Sequence, residues 1–126
     1  DLMFEPVRNR FQSGKNLSED QYQQACATML SLRESFTGQM AAFDALLAPT
    51  VAIPPPEISP LLNDYDLFSA TNMLALRNTR FFNMFGTCAL SLPTGKPASG
   101  LMVVGHTGRD RELISVGLSM EKLIGE

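Results

Sequence analysis

Residues 82–105 read FNMFGTCALSLPTGKPASGLMVVG, and this stretch decides the fold. Cys88 to Leu92 is an apolar run ended by Pro93, and Leu101 to Val104 is a second. The cluster Thr94-Gly95-Lys96-Pro97 is rich in turn formers. A connection this short predicts an antiparallel β-hairpin near 88–105. Both strands are continuously apolar rather than strictly alternating, which predicts that both faces are covered. Gly86 and Thr87 mark the break before the first strand.

Working upstream, LFSATNMLALRNTRFF suits a helix from Asp66 to about Phe82, with Asp66 or Ser69 as its cap. Phe68, Met73, Leu76 or Arg77, and Arg80 run along its faces. Before it, VAIPPPEISP favours polyproline II and turns, because each residue ahead of a proline is pushed out of the helical region. It reads as an irregular crossing loop, with a PxxP ligand as the alternative. In DALLAPT, Ala45 to Ala48 form a short buried strand that Pro49 stops, since proline cannot donate to a sheet ladder.

A second helix starts at Ser18. Glu19 and Asp20 put negative charge in its first turn, and Gln21 completes a capping box. Leu17 can staple onto Tyr22, and Tyr22, Cys26, Met29, Leu30, Phe36, Met40 and Phe43 follow helical spacing to about Ala42. Residues 1 to 16 mix charges with Pro6 and Gly14, show no sustained period and predict an extended lead-in. Downstream of the hairpin, Asp110 caps a final helix whose inward face carries Leu113, Val116, Met120 and Leu123 or Ile124, with Gly125 near its end. The whole is α/β: helices packed on a few short buried strands in a single domain or fragment over residues 1–126.

Composition narrows the function. The chain has 126 residues, 44% hydrophobic and 18% charged, with a net charge of -3. That is ordinary globular composition. The ten basic residues are scattered, so no electrostatic footprint for nucleic acid is visible. No apolar run approaches the roughly 20 residues of a membrane span. There is no charged segment leading into an apolar one of the leader type, and the chain does not open on methionine, so removal of an original N-terminus stays open. Cys26 and Cys88 lack a CxxC partner and share one histidine, His106, so zinc is not expected. They read as buried free thiols in a reducing, cytoplasmic compartment, with a disulfide between them as the alternative.

A search for catalytic groups finds little. Ser91 lies in LSLPTG without the glycines that bracket a nucleophile elbow, and reads as a strand serine packing inward. His106 follows Gly105 at a strand end, a fair place for catalysis, yet no carboxylate at diagnostic spacing supports it and a turn histidine is the plainer reading. Asp64 and Asp66 could hold a cation or be solvated loop acids. Gly100 and Gly105 permit close backbone approach without forming a phosphate loop.

The run EPVRNRFQSGKNLSEDQYQQA, the DALLAPT strand, NTRFFNMFGTCALSLPTG and GLMVVGHTGRDRELISVG, followed by Met120 and Glu121, together resemble the C-terminal third of amidase signature enzymes. The pieces occur in the family's order and at similar spacing. Arg10, Gly14, Asp44, Pro49, Thr50, Asn83, Gly86, Ala89, Ser91, Pro93, Gly95, Gly100, Leu101, Gly105 and Glu121 match its pattern. Thr87-Cys88 departs from it where proline is usual, the loop after Gly95 is short, and Ser99-Gly100-Leu101 is compressed.

The resemblance implies the C-terminal fragment of a mixed-sheet amidase fold. It implies hydrolysis of a carbon–nitrogen amide bond by a serine, a second serine in a cis peptide and a lysine, all in a Gly/Ser-rich loop that this sequence does not contain. The chain alone is therefore expected to be inactive and to need no cofactor or metal. It would contribute packing and pocket wall for a small amide substrate of a full-length parent. Phe82, Asn83, Met84 and Phe85 are the candidates for that wall, and core packing of these aromatics is the competing reading. A non-enzymatic oligomerisation module is the alternative function. In either case apolar edges predict a homo-oligomer.

Overall fold

The computed structural model describes residues 2–124, so Asp1 and the predicted helix end at Gly125 lie outside the described residues. In chain order the elements are α1 (Glu5–Gln12), a 3-10 turn (Ser13–Asn16), α2 (Glu19–Met40), β1 (Leu46–Pro49), α3 (Ile58–Asn63), α4 (Tyr65–Ala75), α5 (Arg77–Phe85), β2 (Ala89–Pro93), β3 (Gly100–Val104) and α6 (Asp110–Ile124). The chain is α/β, with helices packed on a small antiparallel sheet of order β1-β3-β2.

The hairpin forms as the sequence predicts. Ser91 stands opposite Met102 and Leu92 opposite Leu101 across β2 and β3. On the other edge of β3, Leu46 faces Val104 and Ala48 faces Met102. Successive side chains of a strand point to opposite faces, so β3 divides the core in two. Met102 and Val104 meet Phe82 of α5, with Phe36 of α2 and Leu46 and Ala48 of β1 packed around them. Val103 meets Leu92 and Leu113, with Leu90, Val116, Met120 and Ile124 alongside. Val103 and Val104 are both 0% exposed, so both faces of β3 are sealed. The outer strands are not. Residues of β1 and β2 alternate between covered and exposed, and Leu47 is 53% exposed, which corrects the expectation of fully buried strands.

Helix α2 begins at the predicted capping box: Ser18 Oγ accepts from Gln21 N–H at 3.2 Å, and Gln21 Oε1 accepts from Ser18 N–H at 2.9 Å. It ends at Met40, two residues before the expected limit, and Met40 is its one buried residue. The predicted staple buries nothing, because Leu17 and Tyr22 both stay more than half exposed. The neighbouring Cys26 side chain raises the Tyr22 phenol pKa above its ordinary value. Both cysteines are free, but each is only half-buried rather than buried as expected.

Further expectations fail. Residues 58–60, the end of the expected irregular loop, open helix α3. Residues 5–12 form a helix rather than an extended lead-in, with Pro6 in the first turn, where its missing N–H costs nothing. The helix expected from Asp66 to Phe82 is two helices. Asp64 caps the first by accepting from Leu67 N–H at 2.9 Å, so Asp66 lies inside the first turn and Ser69 inside the helix. The break falls at Leu76, next to the tie by which Asn78 Nδ2 donates to Pro49 O at 2.8 Å. The final helix α6 lies where expected, but Asp110 is its first helical residue rather than its cap; Leu113 and Gly117 are buried, Leu123 points outward and Ile124 packs inward.

Helix α6 sits close on β2 at Gly117. A Cβ there would lie 2.8 Å from Leu90 Cδ2 and 3.0 Å from Leu90 Cδ1. Gly117→Ala gains up to about 1 kcal/mol of helix propensity, but overpacking costs about 1–3 kcal/mol. Chemical denaturation of Gly117→Ala should therefore show a net loss of about 1 kcal/mol, reduced when Leu90→Val makes room. In the same assay Ser18→Ala should cost about 1 kcal/mol through loss of the cap.

Candidate functional site

The candidate wall segment lies in α5, and its four residues go to different places. Helix α5 ends at Gly86, whose φ of 69° is left-handed and suits glycine, and whose N–H bonds the carbonyls of Phe82 and Asn83. Arg33 of α2 reaches across to donate from Nε to Met84 O at 2.7 Å, satisfying a carbonyl of the last turn. Phe85 stacks on Phe36, with ring centroids 4.7 Å apart and planes 4° from parallel. Met84 through its carbonyl, and Phe85 through its ring, are thus engaged with α2. Phe82 and Asn83 open instead onto a cleft.

That cleft, of about 340 Å³, lies on the β3 face that carries Met102. Thr50, Thr79, Thr87, Ser91 and Asn83 supply its polar groups, while Phe82, Ala89 and Met102 are among its apolar ones. Phe82 is 7% exposed, so it is both core and cleft floor. Thr50 Oγ1 and Ser91 Oγ are 2.6 Å apart and share a hydrogen bond. The pair closes over Gly100, where a Cβ would lie 2.8 Å from each hydroxyl oxygen, so only glycine leaves room for it. Ser91 is exposed on this face, which corrects the expectation that it packs inward. Its partner is a threonine, and among the described residues that line the cleft none is a histidine, lysine or carboxylate. Sequence reasoning missed Thr50, Thr79 and Thr87 as cleft residues, because Thr50 follows β1 while Thr79 and Thr87 sit on α5 and its exit, and only the fold brings the two segments together.

The other candidate chemistry resolves into structural ties. His106 Nε2 lies 2.9 Å from Phe43 O, and since a carbonyl only accepts, that nitrogen carries the proton and donates. Cys88 Sγ donates to His106 O at 3.0 Å. Together they fasten the β3–α6 connection to the segment before β1. A groove of about 440 Å³ beside His106 holds Asp44, Arg109 and Glu112, of which the last two form an exposed ion pair at 2.7 Å. Asp64 spends its carboxylate on the α4 cap. Among the described residues no group of three or more His, Cys, Asp or Glu is placed to hold a metal ion, and no helix is long and apolar enough to cross a membrane.

Comparison with known proteins bears on this arrangement. Residues 2–114 match the family profile described as Amidase. The chain is similar to a protein of Comamonas testosteroni named 2-amino-5-chloromuconic acid deaminase, with 32% identity over 124 residues. The match covers 95% of this chain and 27% of that relative, so the chain spans about a quarter of the relative's length. No solved structure matches the chain. With the profile matched across nearly its whole length, the chain belongs to the amidase family.

Proposed function

We propose that this chain is the C-terminal part of an amidase-like hydrolase of carbon–nitrogen amide bonds, providing substrate-pocket wall and packing while the bond-breaking groups lie elsewhere in a longer parent. The observation that carries the reading is the cleft itself. Thr50 ends the family's Asp-x-Leu-x-x-Pro-Thr strand, Asn83 opens its next motif and Ser91 opens its Ser-x-Pro-x-Gly turn, and all three line one cavity. Residues matched from three separated motifs converge where a substrate would be held.

The chemistry points the same way. An amidase signature mechanism needs two serines and a lysine in a Gly/Ser-rich loop, and this sequence has no consecutive serines. Its three lysines, Lys15, Lys96 and Lys122, lie in other contexts. Ser91 has a hydroxyl partner rather than a base, so it is not activated. On this reading Phe82 and Asn83 touch the substrate directly, while Met84 and Phe85 set the position of α5. The relative's name describes a deaminase, which also breaks a carbon–nitrogen bond. The proposed setting is cytoplasmic, without nucleic acid.

The surface fits a piece built to pack. Along α2 only Met40 is buried, and Leu47, Phe43 and Phe81 are exposed near the sheet and α5. Open strand edges and apolar patches favour association. The alternative, a packing module with no chemistry, shares this feature and differs in having no substrate at the cleft.

Three outcomes follow. The isolated chain should hydrolyse no amide, and turnover surviving Ser91→Ala and His106→Ala would contradict the assignment. In sedimentation at tens of micromolar it should run as a dimer or larger species, and a sharp monomer would count against the packing argument. Phe82→Ala should cost about 3–5 kcal/mol in denaturation, whereas Asn83→Ala should leave stability nearly unchanged and impair only substrate binding in the parent enzyme.

A further inference from the structure

A second groove adjoins the cleft, and its charge is one-sided. Arg10 of α1 and Arg80 of α5, with Leu76, Thr79 and Asn83, line a space of about 460 Å³ that contains no acid. Among the described residues no carboxylate pairs with either guanidinium. Arg80 Nη1 donates to Met73 Sδ at 3.3 Å, a weak acceptor. Thr79 and Asn83 line both this groove and the cleft that holds Thr50, Ser91 and Phe82, so the two spaces meet at those side chains.

We infer that this groove is an anion site that takes a carboxylate of the substrate, the rest of which extends past Asn83 into the neighbouring cleft; the inference rests on the substrate-wall reading given above. Two guanidiniums offer planar forks of donors that match carboxylate oxygens in pairs, and such charge-assisted bonds are the strong ones. Asn83 adds an amide that can donate toward the anion or accept from the chain beyond it. Leu76 flanks the groove with apolar surface suited to a carbon skeleton. A free phosphate would engage the arginines and nothing more. A carboxylate carried on a short chain uses the arginines at one end and the hydroxyl-lined, Phe82-floored cleft at the other. The substrate class is therefore an amide that also bears a carboxylate.

Calorimetric titration of the 126-residue chain tests this, with adipate as a simple six-carbon dicarboxylate and inorganic phosphate as the comparison. Adipate should bind saturably and more tightly than phosphate. Arg10→Gln and Arg80→Gln should each weaken it by roughly tenfold, the loss expected for one hydrogen bond to a charged group. Arg80→Lys should weaken it too, because lysine keeps the charge and loses the fork. Arg111→Gln, on the exposed side of α6, should change nothing, and circular dichroism of each variant checks the fold. Equal binding of phosphate and adipate, full retention in Arg80→Lys, or no saturable binding would each overturn the site. Adipate binding with the expected arginine dependence, joined to absence of amide hydrolysis in the parent protein, would keep the site and remove the amidase reading instead.

Discussion

Strand β3 is sealed on both faces and bonded along both edges, and the rest of the molecule hangs from that condition. Val103 and Val104 are consecutive and point to opposite sides, yet both are fully buried. This requires a layer above and a layer below. Helix α6 supplies one through Leu113, and α5 with α2 supplies the other through Phe82 and Phe36. Burying apolar side chains of this size contributes roughly 1.5–3 kcal/mol each, so the strand and its two covers form together.

The cleft inherits its geometry from the same strand. Gly100 opens β3, and its missing side chain lets Thr50 and Ser91 from the two flanking segments meet above it. Phe82 is fixed by Met102 and Val104 beneath, which in turn holds Asn83 at the rim shared by the two grooves. A side chain at residue 100 would separate the hydroxyls without disturbing the buried valines. The site is thus more sensitive than the fold at that position.

What the sequence revealed and what it hid follow from which forces are local. The hairpin was legible because Pro93, Gly95 and Pro97 punctuate two apolar runs, and the start of α2 because its capping box involves residues only three apart. Helix α1 was not, since it is only eight residues long, buries none of them and offers a single apolar pair, Val7 and Phe11; Phe4 at its start meets Phe68 edge to face at 5.8 Å. The division of α4 from α5 was hidden for another reason. No glycine or proline marks Leu76, and the tie from Asn78 to Pro49 beside the break spans 29 residues. Of the candidate wall, the segment could be named from the family pattern, but which of its four residues face a cavity depends on the helical turn and on Arg33 and Phe36 of a distant helix.

A sheet sealed at its centre and open at its margins suits a chain that covers about a quarter of its relative's length. The outer edges of β1 and β2 bond to no other strand among the described residues. Amide hydrogen exchange of the chain at concentrations where it is monomeric tests this asymmetry most directly. The account predicts slow exchange at Met102, Val103 and Val104 and markedly faster exchange along β1 and β2. Equal protection across all three strands would contradict it.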